Sequence, residues 1–152
     1  GATVTLDALA DVLPWVDCFL PNDEEALHLT GERDPYTQAQ RFLDAGCGTV
    51  VITMGSHGSL LMDAQHRIEA GTFNVDVVDA SGSGDAFAGG FIAGLLEGWP
   101  MEHTLRFASG MGASACTALG CNAGLFNRAQ ADAFLQTHDL SMRIIHRNYH
   151  ES

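Results

Sequence analysis

Segments of strand-like and helix-like pattern alternate along this chain. A run of β-branched residues lies between glycines, and a glycine turn separates a strand from a helix. Together these features predict an α/β protein, a three-layer α-β-α, Rossmann-like arrangement with a largely parallel sheet. The 152 residues suffice for one domain with its own core, and a hydrophobic fraction of 46% sets disorder aside.

The elements follow in order. "WVDCFL" (Trp15 to Leu20) reads as a short strand ended by Pro21. Asn22 then caps a helix reaching about Thr30, with Gly31 as its stop. Pro35 stands at the start of a second helix, "PYTQAQRFLDAG", with Gly46 past its end. "GTVVITMG" is a buried strand, and "SLLMDAQHRIEAG" a hairpin turning at Asp63 to Gln65. "FNVDVVD" alternates apolar and polar residues and predicts the next strand. A helix from Gly84 to Gly98 places Phe87, Phe91, Leu95 and Leu96 on one face, and Trp99-Pro100 ends it. A further helix is expected from Met101 to Ala118, then a loop, "LGCNAG", then a last helix capped by Asn127. Residues 1–138 are expected to form the folded unit, and 139–152 a loose tail without periodicity.

The composition narrows the function. The net charge is −12 and all seven basic residues are arginine. Nucleic-acid binding needs a basic stripe, so it is not expected. Without lysine the chain supplies neither a Walker A lysine nor a Schiff base. The longest apolar runs, such as "FIAGLL", are too short to cross a membrane, and no basic segment precedes an apolar one as in a secretory signal. Four cysteines without C-x-x-C spacing suggest a reducing, cytoplasmic setting, with neither a disulfide framework nor a zinc site.

The chemistry concentrates in "DASGSGDAFAGGF". Gly82-Ser83-Gly84 lets the backbone aim its N–H groups at one point, and the following helix start adds partial positive charge, so the turn predicts an anion hole. It is not G-x-G-x-x-G, because Phe87 stands at the third glycine position. Asp85 has two readings. It is either a first-turn aspartate favoured by the helix dipole, or a general base beside the anion hole. Asn22 and Glu25 have the spacing of a capping box, and Gly55 to Gly58 that of a glycine turn between strands.

The sequence around Asp79, Gly82, Gly84, Asp85 and Phe87 resembles the second signature of the PfkB, or ribokinase-like, carbohydrate kinases, D-T-x-G-A-G-D-x-F. Ala80 replaces its usual threonine, and Ser83 its usual alanine. "NDEE" resembles that family's N-x-x-E motif, and "TMGSHG" its T-x-G-x-x-G loop. "FASGMGASACTALGCNAG" resembles its helix of small residues. These motifs occur in family order from about Asp17 to Phe134.

The resemblance implies the C-terminal portion of a ribokinase fold and an ATP-dependent kinase acting on a hydroxyl of a sugar, sugar phosphate or nucleoside. By it, Asp85 is the catalytic base, and the amides of Gly82, Ser83 and Gly84 form the anion hole. Asn22, Thr53, Gly55, Gly58 and Ser109 bind the nucleotide. Glu25 holds Mg²⁺ through water, and Asp79, Ser81, Ala115, Ala118 and Gly120 match a K⁺ site. It also implies that an N-terminal half is missing, with an exposed sheet edge in its place, and leaves room for a homodimer of the full-length protein. Two alternatives stand beside it: a nucleotide-binding fragment without catalysis, and a vitamin kinase of the pyridoxal type.

Overall fold

The structure is a computed structural model and describes residues 5–146. The chain divides into two compact units, one of residues up to Glu69 together with those from Met142 on, the other Ala70–Ser141.

The first unit is built on a five-stranded sheet in the order β1-β2-β3-β4-β5. Its strands are β1 (Cys18–Phe19), β2 (Thr49–Thr53), β3 (Ser59–Asp63), β4 (His66–Ala70) and β5 (Met142–His146). Strand β1 is shorter than expected, because Leu13–Trp15 forms a 3-10 turn around Pro14 and leaves Trp15 87% exposed. Strands β1 and β2 pair in parallel through Cys18 with Thr49 and Phe19 with Val50. Strands β2 and β3 pair antiparallel, from Thr49 with Asp63 to Thr53 with Ser59. The expected largely parallel sheet is therefore mixed. The loop between β2 and β3 is too short for a crossover, so the chain must return antiparallel.

Helix α1 (Asp23–Thr30) begins with a complete capping box between Asn22 and Glu25 and ends at Gly31, whose φ is +74°. Helix α2 (Pro35–Asp44) is capped by Asp34, which accepts from the Thr37 amide. Its Ala39 and Phe42 join Ala26 of α1 in a core with Val50, Ile52, Leu60 and Met62 of the strands. Phe42 also meets Phe19 edge-on at 5.0 Å.

The second unit carries α3 (Ser83–Leu96), α4 (Met101–Ala115) and α5 (Arg128–Thr137). Helix α3 lies against α4 along a glycine seam. A Cβ on Gly90 would come within 3.0 Å of the Ala108 Cα, and one on Gly94 within 2.6 Å of the Thr104 Cγ2. The buried face is Phe87, Gly90, Phe91 and Gly94, while Leu96, expected on that face, is 84% exposed in the last turn. Helix α4 ends at Ala115 rather than Ala118. Helix α5 has a second capping box, between Asn127 and Gln130. At its other end the Arg106 guanidinium donates to the carbonyls of Leu135 (2.7 Å) and His138 (2.9 Å), where the helix dipole favours a cation.

Two further expectations change. Phe73 to Asp79 forms no strand, although Phe73 is buried. The amides of Val78 and Asp79 instead donate to the Cys116 carbonyl, at 2.7 and 3.2 Å, and so do not build a ladder. Met142–His146, expected in the loose tail, is strand β5. The rest of that tail, 147–152, lies outside the described residues.

Candidate active site

The glycine turn is where local sequence and packing meet. Gly82 is the N-cap of α3 with φ +78°, a backbone conformation that side chains rarely tolerate. A Cβ there would also stand 2.9 Å from the Cys121 Cβ. Structure therefore explains Gly82. It does not explain Gly84, where a Cβ would meet nothing within 4 Å and φ is not positive. A glycine inside a helix costs roughly 0.5–1 kcal/mol against alanine, and no packing at Gly84 returns that cost. An open surface over the first-turn amides is what a close-approaching anion requires.

Helices α1, α2 and α5 each have a side chain accepting from a first-turn amide, whereas neither α3 nor α4 has a side-chain cap; α4 starts at Pro100 and α3 at a glycine. Asp85 follows in that first turn and is exposed. The arrangement can hold an anion at the helix start and accept a proton one residue further on.

Asp79, just before the turn, is bonded on both carboxylate oxygens. Oδ1 accepts from the Ser81 amide at 2.9 Å, and Oδ2 from the Gly120 amide at 3.0 Å. The Ser81 amide, then its hydroxyl, then the Gly120 amide hold its carboxyl below the usual aspartate range. Asp79, Ser81 and Gly120 are thus brought together. Ala115 is buried at the end of α4, and Ala118 is half-buried in the turns that follow. Ser109 spends its hydroxyl inside α4, donating to the Leu105 carbonyl at 2.9 Å. Sequence reasoning missed Cys121, which packs on Gly82 with no signal in its own neighbourhood. It also missed the Gly120 amide as a donor to Asp79.

In the first unit, Asn22 and Thr53 are brought together by an isolated parallel bridge, and the Thr53 amide donates to the Pro21 carbonyl at 3.1 Å. Asn22 Oδ1 accepts from the Glu25 amide (2.8 Å), and Glu25 Oε2 accepts from the Asn22 amide (2.9 Å). Asp23, Glu24 and Glu25 crowd the first turn of α1 with carboxylates. Such oxygen donors suit Mg²⁺, which keeps most of its waters and needs few protein ligands. Among the described residues no three potential ligand side chains converge as a metal cage. After β2 the chain turns through Gly55–His57, closed by the Met54 amide donating to the Gly58 carbonyl at 2.8 Å. Gly55 (φ +53°) and Gly58 (φ +89°) supply the left-handed residues of this turn, and His57 is exposed.

A helix start with no side-chain cap and open space at Gly84 has the local chemistry to accept an anion. The family model described as pfkB family carbohydrate kinase matches residues 1–128, and the chain belongs to that family. It is 33% identical over 98 residues to the ATP-dependent 6-phosphofructokinase of Thermoanaerobacterium thermosaccharolyticum, covering 64% of this chain and 30% of that protein. The ribokinase of Arabidopsis thaliana complexed with ribose and ATP superposes with a TM-score of 0.79 at 25% identity, covering 90% of this chain and 45% of that one. The fructokinase of Vibrio cholerae O395, in its fructose-, ADP- and calcium-bound form, gives 0.76 at 27% identity, covering 86% and 44%. The fold is therefore part of a ribokinase fold, and the chain spans less than half the length of each of these three relatives.

Proposed function

We propose that this chain is the nucleotide-binding and catalytic part of an ATP-dependent kinase whose acceptor is a hydroxyl of a sugar, sugar phosphate or nucleoside. The observation that carries the reading is the open, uncapped start of α3 with Asp85 exposed in its first turn. Membership of the pfkB family supports it.

In this reading Asp85 takes the proton of the acceptor hydroxyl. The hydroxyl oxygen then attacks the γ-phosphorus of ATP in line, the bond to the bridging oxygen breaks, and ADP leaves. The amides of Gly82 and Gly84, with that of Ser83 shared with the Ala80 carbonyl at 3.2 Å, would face the charge that develops on the transferred group, where preorganised donors are most effective. Thr53, Gly55 and Gly58 form the nucleotide loop, with Asn22 beside Thr53, and Ser109 borders the base. Mg²⁺ bound to the phosphates would neutralise their charge, with Glu25 holding it through water. Asp79 and Ser81, with the carbonyls of Ala115, Ala118 and Gly120, are the residues for a monovalent cation such as K⁺. The four free cysteines fit a cytoplasmic setting.

The test is Asp85→Asn in the full-length protein, assayed against a panel of sugars, sugar phosphates and nucleosides. Loss of a general base should lower kcat by about 10²–10⁴. ATP binding and melting temperature should be retained, because Asp85 is exposed. Transfer at the wild-type rate would remove Asp85 from the mechanism. ATP binding without turnover in the wild-type protein would make this a nucleotide-binding module instead.

A further inference from the structure

The contacts between β4 and β5 fall on one antiparallel register. The Gly71 amide donates to the Ser141 carbonyl at 2.8 Å, and Arg143 Nη2 meets Glu69 Oε1 at 3.0 Å. On the same register His66 opposes His146, with ring centroids 5.6 Å apart and planes inclined at 61°. Directly opposed residues of antiparallel strands project from the same face of a sheet, so the two imidazoles share one side.

His66 is also oriented. Both carboxylate oxygens of Asp63 lie 3.1 Å from His66 Nδ1. Asp63 Oδ1 is itself fixed by the amides of Gln65 (2.7 Å) and His66 (2.6 Å) in the hairpin turn. A carboxylate on one ring nitrogen sets the tautomer and leaves Nε2 with its lone pair, as around histidines that bind metals. A tetrahedral ion about 2.0–2.1 Å from each coordinating nitrogen would hold two ring centroids about 5–6 Å apart. The observed separation falls in that range.

We propose that His66 and His146 form a cross-strand binding site for a divalent transition metal ion of the Zn²⁺ class, with Asp63 as the positioning carboxylate. Imidazole donors select Zn²⁺, Ni²⁺ or Cu²⁺ over Mg²⁺, whose preference is for oxygen. The site is open to solvent, since His146 is exposed and the His66 side chain is 34% exposed. Water completes the coordination, because no set of three potential ligand side chains converges among the described residues. An ion held there ties β5 to β4 and stabilises the folded state by mass action.

The experiment is a Zn²⁺ titration of the full chain, followed by ¹⁵N-edited imidazole spectra, calorimetry and melting temperature. Resonances of His66 and His146 should move together and saturate at one ion per chain, with a rise in melting temperature. His66→Ala and His146→Ala should each weaken binding at least tenfold (about 1.4 kcal/mol). His146→Gln, which keeps the bulk of the side chain, should do the same, and a metal-free melt of each variant confirms that it is folded. Asp63→Asn, which retains an acceptor for the hairpin amides, should weaken binding about 10–100-fold. Zn²⁺ that perturbs other histidines first, or binds the folded His146 variants as tightly as wild type, would overturn the assignment.

Discussion

Gly82 and Gly84 stand two residues apart and answer to different constraints. Gly82→Ala forces a side chain onto a backbone at φ +78° and against Cys121, so it should destabilise the protein by about 1–3 kcal/mol, read from the urea midpoint. Gly84→Ala meets only open space and should stabilise α3 by roughly 0.5–1 kcal/mol. The same methyl would obstruct a phosphate at the helix start, so phosphotransfer by the full-length protein should fall while stability rises. Unchanged transfer in Gly84→Ala would show that no anion approaches there. The glycine turn itself was legible from thirteen consecutive residues, "DASGSGDAFAGGF". Which glycine serves the fold and which leaves room for a ligand was not, because the difference lies in Cys121, distant in sequence.

Among the elements, α3 and α4 show how a glycine's effect depends on what faces it. Gly94→Ala would place a methyl 2.6 Å from Thr104 Cγ2 and should cost about 1–3 kcal/mol as the helices move apart. Gly89→Ala, on the same helix but with nothing within 4 Å, should gain roughly 0.5–1 kcal/mol. Melting temperatures that move in the same direction for both would refute the glycine seam. Sequence patterns located the capped helices closely: Asn22 with Glu25 and Asn127 with Gln130 are boxes closed within four residues. They failed for Phe73 to Asp79, where alternation without a neighbouring strand gives no ladder, and for β5, whose mostly exposed residues carry little periodicity.

For the molecule as a whole, the response to acid is set by carboxyls that hydrogen bonds hold in their charged form. Three carboxyls sit below their usual range: Asp79 through the Ser81 amide, Asp34 through the Thr37 hydroxyl and amide, and Glu69 through the Tyr36 hydroxyl and its two arginines against the cost of burial. A carboxyl with a depressed folded pKa binds its proton more readily when the chain is unfolded. The stability it supplies is complete above the ordinary carboxylate range, and is lost as pH falls through the folded value. Unfolding free energy should therefore drop in acid below about pH 4. Asp79→Asn should lose less between pH 7 and pH 3 than wild type, measured by urea melts at each pH. An identical loss in the variant would mean that the bonds from Ser81 and Gly120 do not persist in solution.

The sequence alone determined what is decided within a few residues. It marked the caps of α1 and α5, the proline at the start of α2, the buried β-branched strand, the glycines at the turns, and the family signature around Asp85. These follow from backbone sterics and local hydrogen bonds, which act over about one helical turn. The tertiary structure decided the rest. It turned an expected parallel sheet into a mixed one, made a strand of Met142–His146, sent the amides of Val78 and Asp79 to Cys116, and set His146 opposite His66. Each of these depends on a partner far along the chain. A strand pairs, or a carboxylate finds its donor, only when folding delivers that partner, and no local pattern encodes it.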